Sequence, residues 1–167
     1  MCLAFFIPFF LLVTRAPFLT QLPLFLSMST AYSPRLLYAN RKDIRIVQTN
    51  RKKQTTVVDG LKDTITVDFC YAEGYVFWSD VVLEKIKRIR VTGDTRKVED
   101  VISVGLKKPE GLAVDWVARK LYWTDCRDSD WETSRIEVAN LDGTNRKALF
   151  WENLGLPRAI AVDPLLG

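Results

Sequence analysis

The 167 residues contain no histidine, and with it go the usual general base, a regular member of hydrolytic triads and the commonest metal ligand. There is no Gly-x-Ser-x-Gly elbow and no Asp/Asn cluster at calcium spacing, so an enzyme is not expected, nor a cofactor, a metal or a small-molecule substrate. Asn40, Asn50, Asn140, Asn145 and Asn153 all lack the Ser or Thr two residues on that N-glycosylation requires. Lysine and arginine total 24 against 20 acids, and the two signs alternate instead of forming a stripe, which excludes a phosphate-tracking nucleic-acid binder. Three cysteines make no disulfide framework, and Cys70 sits in a strand-like stretch that suits a core thiol.

Residues 1–31 hold no acid and one base, Arg15. The apolar run 3–13 has the length of a signal-peptide core and falls short of the ~20 residues a spanning helix needs. Pro8, Pro17 and Pro23 interrupt a longer helix, and Ser29-Thr30-Ala31 offers small residues to a signal peptidase. The segment 1–31 therefore reads as a signal peptide cleaved near Ala31 or a signal anchor, which gives the rest a secretory-pathway, extracellular address.

What fills the remainder is repetition. Ile65-Thr66-Val67-Asp68-Phe69, Leu112-Ala113-Val114-Asp115-Trp116 and Ile160-Ala161-Val162-Asp163-Pro164 echo one another, their aspartates at 68, 115 and 163. Phe77-Trp78-Ser79-Asp80 and Tyr122-Trp123-Thr124-Asp125 form a second signature, with Leu37-Tyr38-Ala39-Asn40 a decayed copy. A third is Arg88-Ile89-Arg90-Val91 with Arg135-Ile136-Glu137-Val138, echoed by Asp43-Ile44-Arg45-Ile46. Turns at Thr92-Gly93-Asp94 and Leu141-Asp142-Gly143-Thr144 follow, and the basic pairs Arg96-Lys97 and Arg146-Lys147 open a fourth apolar run.

Four short strands in a period of about 45 residues describe a propeller blade, a sheet that cannot bury both faces except against sister blades. The fold class expected is all-β, with a partial blade at 36–59, full blades at 64–103 and 111–151, and the first strand of a further blade at 158–163. That is about half a ring within 35–167, and its two wet end faces predict marginal stability in isolation.

The tetrapeptides at 77–80 and 122–125, with inner strands ending in Val-Asp, resemble the YWTD repeat of the low-density-lipoprotein-receptor family, whose fold is a six-bladed propeller. Leu36-Leu37-Tyr38-Ala39-Asn40-Arg41, Leu149-Phe150-Trp151 and Pro157-Arg158-Ala159-Ile160-Ala161 resemble more narrowly the first propeller of the Wnt co-receptors, the Arrow-like branch. That resemblance implies a fragment of a receptor ectodomain at the outer side of the plasma membrane. It further implies binding of Wnt ligands or secreted antagonists on the top face of the propeller, in a Frizzled-type receptor complex. An endocytic lipoprotein-receptor or matrix-type YWTD propeller is the alternative, which the absence of histidine disfavours by removing an acid-triggered release switch.

Residue types that recur in every blade read as architecture: Phe77, Trp78, Tyr122 and Trp123 as packing between blades, Asp80 and Asp125 as acceptors for strand-end backbone donors. Positions that recur while changing residue read as recognition. The slot five residues before each inner-strand aspartate holds Asp63, Glu110 and Arg158, a set of charges at one mouth of the disc. By resemblance Arg41, Val81, Glu84 and Glu132 join that ligand face. Lys62 and Lys108 depart from the family text and make the face more basic, and the stretch 126–133 departs in being longer than the family's loop.

Overall fold

The computed structural model describes residues 34–165 except 52, 95 and 127–133, so the leader 1–31 and Glu132 lie outside the described residues. Eleven strands and no helix are found among those residues. β1 (Arg35–Ala39), β2 (Ile44–Gln48) and β3 (Lys53–Val58) form one antiparallel sheet. β4 (Thr64–Cys70), β5 (Tyr75–Asp80), β6 (Lys85–Arg90) and β7 (Val98–Ile102) form a second. β8 (Pro109–Asp115), β9 (Lys120–Asp125), β10 (Arg135–Asn140) and β11 (Lys147–Phe150) form a third. β8 packs beside β4 and β4 beside β1, so the sheets are successive blades of an incomplete propeller with their inner strands adjacent.

The middle blade shows why stacking is obligatory. β5 is buried on both faces, with alternate side chains reaching opposite neighbours. Trp78 packs toward the first blade among Leu37, Ile44, Val57 and Ile89. Phe77 packs toward the third among Leu112, Leu121 and Trp123. Tyr122, in the slot of Phe77, is half-buried on the outer face of the third blade. Cys70 and Cys126 are free, buried thiols.

The register corrects three readings of the repeat. First, Trp78 pairs with Val67 and Trp123 with Leu112, whereas Cys70 faces Tyr75 and Asp115 faces Lys120. Asp115 is thus the counterpart of Cys70, and Asp68 that of Ala113; the Val-Asp echo is two residues out of spatial step. The offset has a visible consequence. Asp115 ends its strand and accepts the turn N–H groups of Val117 (2.9 Å) and Ala118 (2.7 Å). Asp68 lies mid-strand and instead accepts Val114 N–H of the next blade at 2.7 Å.

Second, Trp78 pairs with Lys87 and Trp123 with Glu137, so Arg135-Ile136-Glu137 corresponds to Lys85-Ile86-Lys87, not to Arg88-Ile89-Arg90. A basic-Ile pair occurs twice in β6, and the text matched the wrong one. Third, 158–163 is not a strand: it joins no ladder among the described residues, although Thr124 Oγ1–H donates to Arg158 O at 2.8 Å and holds it beside β8. A strand needs a hydrogen-bonded partner, and no described residue supplies one.

Candidate functional site

The turns 40–43 and 81–84, the stretches 59–63 and 103–108, and Cys126 all lie at the Asp80/Asp125 end of the blades, the face called top here. Asp80 organises this face. It is fully buried, and its carboxylate accepts Lys62 N–H (3.0 Å), Asp63 N–H (3.2 Å), Val82 N–H (3.2 Å) and Leu83 N–H (3.1 Å). Asp125 accepts Lys107 N–H (2.9 Å) and Lys108 N–H (2.8 Å) in the same way. Each aspartate draws the chain entering a blade against the end of that blade's second strand. The side chains of Lys62, Lys107 and Lys108 are exposed there, while that of Asp63 is largely covered.

The top turn of the first blade is tied to the second by backbone bonds: Thr64 N–H donates to Arg41 O (2.8 Å) and Leu61 N–H to Lys42 O (3.0 Å). Arg41 then meets Asp63 at 3.3 Å. Glu84 faces Lys107 at 3.9 Å across the next seam. Glu110 sits between Lys108 (2.8 Å) and Arg158 (3.4 Å), and its carboxylate holds the Lys108 ammonium above the ordinary lysine value. Val81 is half-buried and donates its N–H to Asp63 O at 3.1 Å.

These contacts revise the expected arc in two respects. Asp63, Glu110 and Arg158 share the top rim but not one repeated slot: the register makes Lys108 the counterpart of Asp63, while Glu110 stands in the place of Ile65. The text aligned them because it aligned Asp68 with Asp115. The charges also pair with one another. The carboxylates are the covered ends, with side chains 22% exposed at Asp63 and 13% at Glu110, and the guanidiniums are the open ends, 69% at Arg41 and 74% at Arg158. The rim therefore displays cations.

Apolar residues complete the face and were missed in the sequence. Val82 (63% exposed), Leu83 (40%) and Val104 (75%) stand open on the same end of the blades. Consecutive Val81-Val82-Leu83 directly after the Ser-Asp end of a strand was the available signal, since a turn has no packing need for three apolar residues.

At the centre of the third blade, Glu137 is 3% exposed and accepts Trp123 Nε1–H (3.0 Å) and an Arg146 N–H (2.6 Å). Arg146 also donates to Val104 O (2.6 Å) and Gly105 O (2.9 Å) of the middle blade, with its guanidinium 5.4 Å from the Trp123 ring centre. The counterpart of Glu137 is Lys87, and the buried Trp78 Nε1–H has no partner among the described residues. Burial pushes the Asp68 carboxyl from its ordinary 3.8 up to about 6 despite the two backbone N–H groups it accepts. Burial likewise raises the Cys126 thiol, whose Sγ donates to Pro157 O. Among the described residues no group of three or more His, Cys, Asp or Glu could hold a metal ion.

Residues 74–116 and 119–164, more than half of the chain, match the family described as Low-density lipoprotein receptor repeat class B. Low-density lipoprotein receptor-related protein 5 of Mus musculus is 49% identical over 139 residues, and that of Homo sapiens 48% over 139 residues. Each alignment takes in 82% of this chain but 8% of the relative, so the chain spans a small part of those proteins. Among solved structures, a chain of the "Crystal structure of Nidogen/Laminin Complex" superposes with a TM-score of 0.69 at 32% identity, over 80% of this chain and 50% of that one. "The structure of putative TolB from Agrobacterium tumefaciens" superposes at 0.54 with 16% identity, over 76% of this chain and 49% of that one, a likeness of fold alone. The sheets, the register of the Trp-bearing strands and these matches agree: the chain belongs to the Low-density lipoprotein receptor repeat class B family.

Proposed function

We propose that the chain is part of an extracellular protein-binding module of the Wnt co-receptor type, which takes secreted protein ligands, Wnts or their antagonists, on its top face. The observation that carries this reading is the collection there of open guanidiniums, Arg41 and Arg158, with open Val82, Leu83 and Val104. Apolar contact area ringed by oriented charges is the composition of a recognition surface, and arginine is favoured at such surfaces. The inward carboxylates of Asp63 and Glu110 hold the arginines in place, and the partner this face selects presents carboxylates of its own. Likeness to relatives named as a low-density lipoprotein receptor-related protein supports the same reading.

The test is binding of purified Wnts and of secreted antagonists to the immobilised chain. Arg41→Glu and Arg158→Glu should each weaken capture about tenfold and reduce its salt dependence, with the melting temperature unchanged. Capture indifferent to both reversals, or a collapse of folding in both, overturns the assignment.

A further inference from the structure

The opposite, bottom end of the molecule carries a feature that the top-face reading does not use. In the seam between the middle and third blades, the bottom is closed by Tyr75, with the guanidiniums of Arg88 and Arg90 4.4 and 5.3 Å from its ring centre. Arg88 continues across the seam and donates to Leu141 O at 2.9 Å. The register gives the corresponding positions of the first blade: Arg35 for Tyr75, Ile46 for Arg88 and Gln48 for Arg90. The seam between the first and middle blades therefore lacks the aromatic plug. A groove of ≈ 690 Å³ opens there, floored by Leu37, Ile46, Phe69, Val76 and Val91.

Two further properties define what fits it. Arg35 and Arg96 line the groove, are exposed and have no ion-pair partner among the described residues, while no acid lines it. One wall is β3, the outermost strand of its blade, which pairs only with β2 and so keeps one row of backbone N–H and C=O groups unpaired within the sheet. Thr55, Thr56 and Val57 of that strand line the groove, and β3 carries no negative charge.

We propose that this groove is a second protein-binding site, taking an extended acidic-hydrophobic segment of a partner. The segment lies along the groove across the face of β1–β3, sets apolar side chains over Leu37, Ile46 and Phe69, and sets carboxylates against Arg35 and Arg96. The slot selects apolar side chains, and the unpaired cations fix the charge sign. The site is independent of the top face.

The probe is a fluorescent decapeptide alternating Glu with Phe or Leu, read by anisotropy against the full chain, with the matching Lys-for-Glu peptide as control. Saturable binding of the acidic peptide alone is expected, with slowed amide exchange confined to the strands that line the groove. Arg96→Glu, on an exposed loop, should weaken it about tenfold and improve binding of the Lys peptide. Arg35→Tyr restores the aromatic of the other seam and should abolish binding with no loss of melting temperature. Equal binding of both peptides, indifference to Arg96→Glu, protection elsewhere, or no binding at 1 mM (roughly a −4 kcal/mol limit) each overturns the proposal. Cross-linking of residues 1–33 into the groove of the chain without probe also overturns it, because the occupant is then internal.

Discussion

Removing the carboxylate of Asp80 is the sharpest perturbation of the top face, because that one group receives four backbone donors. In Asp80→Ala the part-buried N–H groups of Lys62, Asp63, Val82 and Leu83 lose their acceptor at about 1 kcal/mol each, the low end for donors that water partly reaches. The total is about 3–5 kcal/mol. In Asp80→Asn the oxygen serving Asp63, Val82 and Leu83 survives, and an NH2 group is set against Lys62 N–H, a cost of about 1–3 kcal/mol. At roughly 3–5 °C per kcal/mol for a folded unit of this size, the alanine variant should melt about 10–20 °C lower and the asparagine variant about half as far. Near-UV circular dichroism of the full chain reads the melts, and amide exchange should speed up at Lys62 and Asp63 first. Two variants falling equally by under 3 °C, with those amides still protected, would refute the reasoning.

Asp68 gives a pH signature. With a folded value of about 6 against an ordinary 3.8, the folded chain holds a proton that the unfolded chain has released throughout that window, so stability falls as pH rises from about 4 to about 6. The span corresponds to at most ~3 kcal/mol, and Asp68→Asn should flatten it; a wild-type stability that climbs through that window, measured by urea melts at stepped pH, contradicts the shift. Arg146→Met strands the Glu137 carboxylate with Trp123 Nε1–H as its remaining donor and should cost about 3–5 kcal/mol. The double variant Arg146→Met with Glu137→Gln should recover part of that loss, and purely additive losses in the cycle would mean the pair is not coupled.

The fold was legible because blade physics leaves marks at every period. A strand buried on both faces must be apolar throughout, as Val76, Phe77 and Trp78 are, and the aspartate ending it must serve donors, as Asp80 does. What the text could not reveal was register. Val-Asp-Phe and Val-Asp-Trp look identical, but the turn 71–74 follows Cys70 in one blade and 116–119 follows Asp115 in the other, so equal words occupy unequal places. The same ambiguity misplaced the third strand, where Lys85-Ile86 and Arg88-Ile89 offer the same pattern three residues apart. The candidate charges shared a rim but not a slot for that reason. Their pairing was invisible as well, because Glu110 meets Arg158 through a seam that no local pattern encodes.

The two seams should differ in strength, and the difference follows from where their polar ties lie. The seam between the middle and third blades is fastened through its depth: Asp68 to Val114 N–H, Arg88 to Leu141 O, and Arg146 to Val104 and Gly105 O. The seam between the first and middle blades is fastened at the top, where Thr64, Leu61 and Arg41 meet 41–42 and Asp63, while its bottom is the open groove. Its core still holds Trp78, but with an indole N–H that finds no acceptor among the described residues, a penalty the better-tied seam avoids by opposing Trp123 with Glu137. Local opening should therefore begin with the first blade peeling away from the bottom. Amides of β1–β3 should exchange at least tenfold faster than those of β8–β10, and Arg35→Tyr should narrow the gap by filling the slot. Exchange that releases β8–β10 first, or all three sheets together, would show that seam strength is set by apolar area alone and that these polar ties contribute nothing.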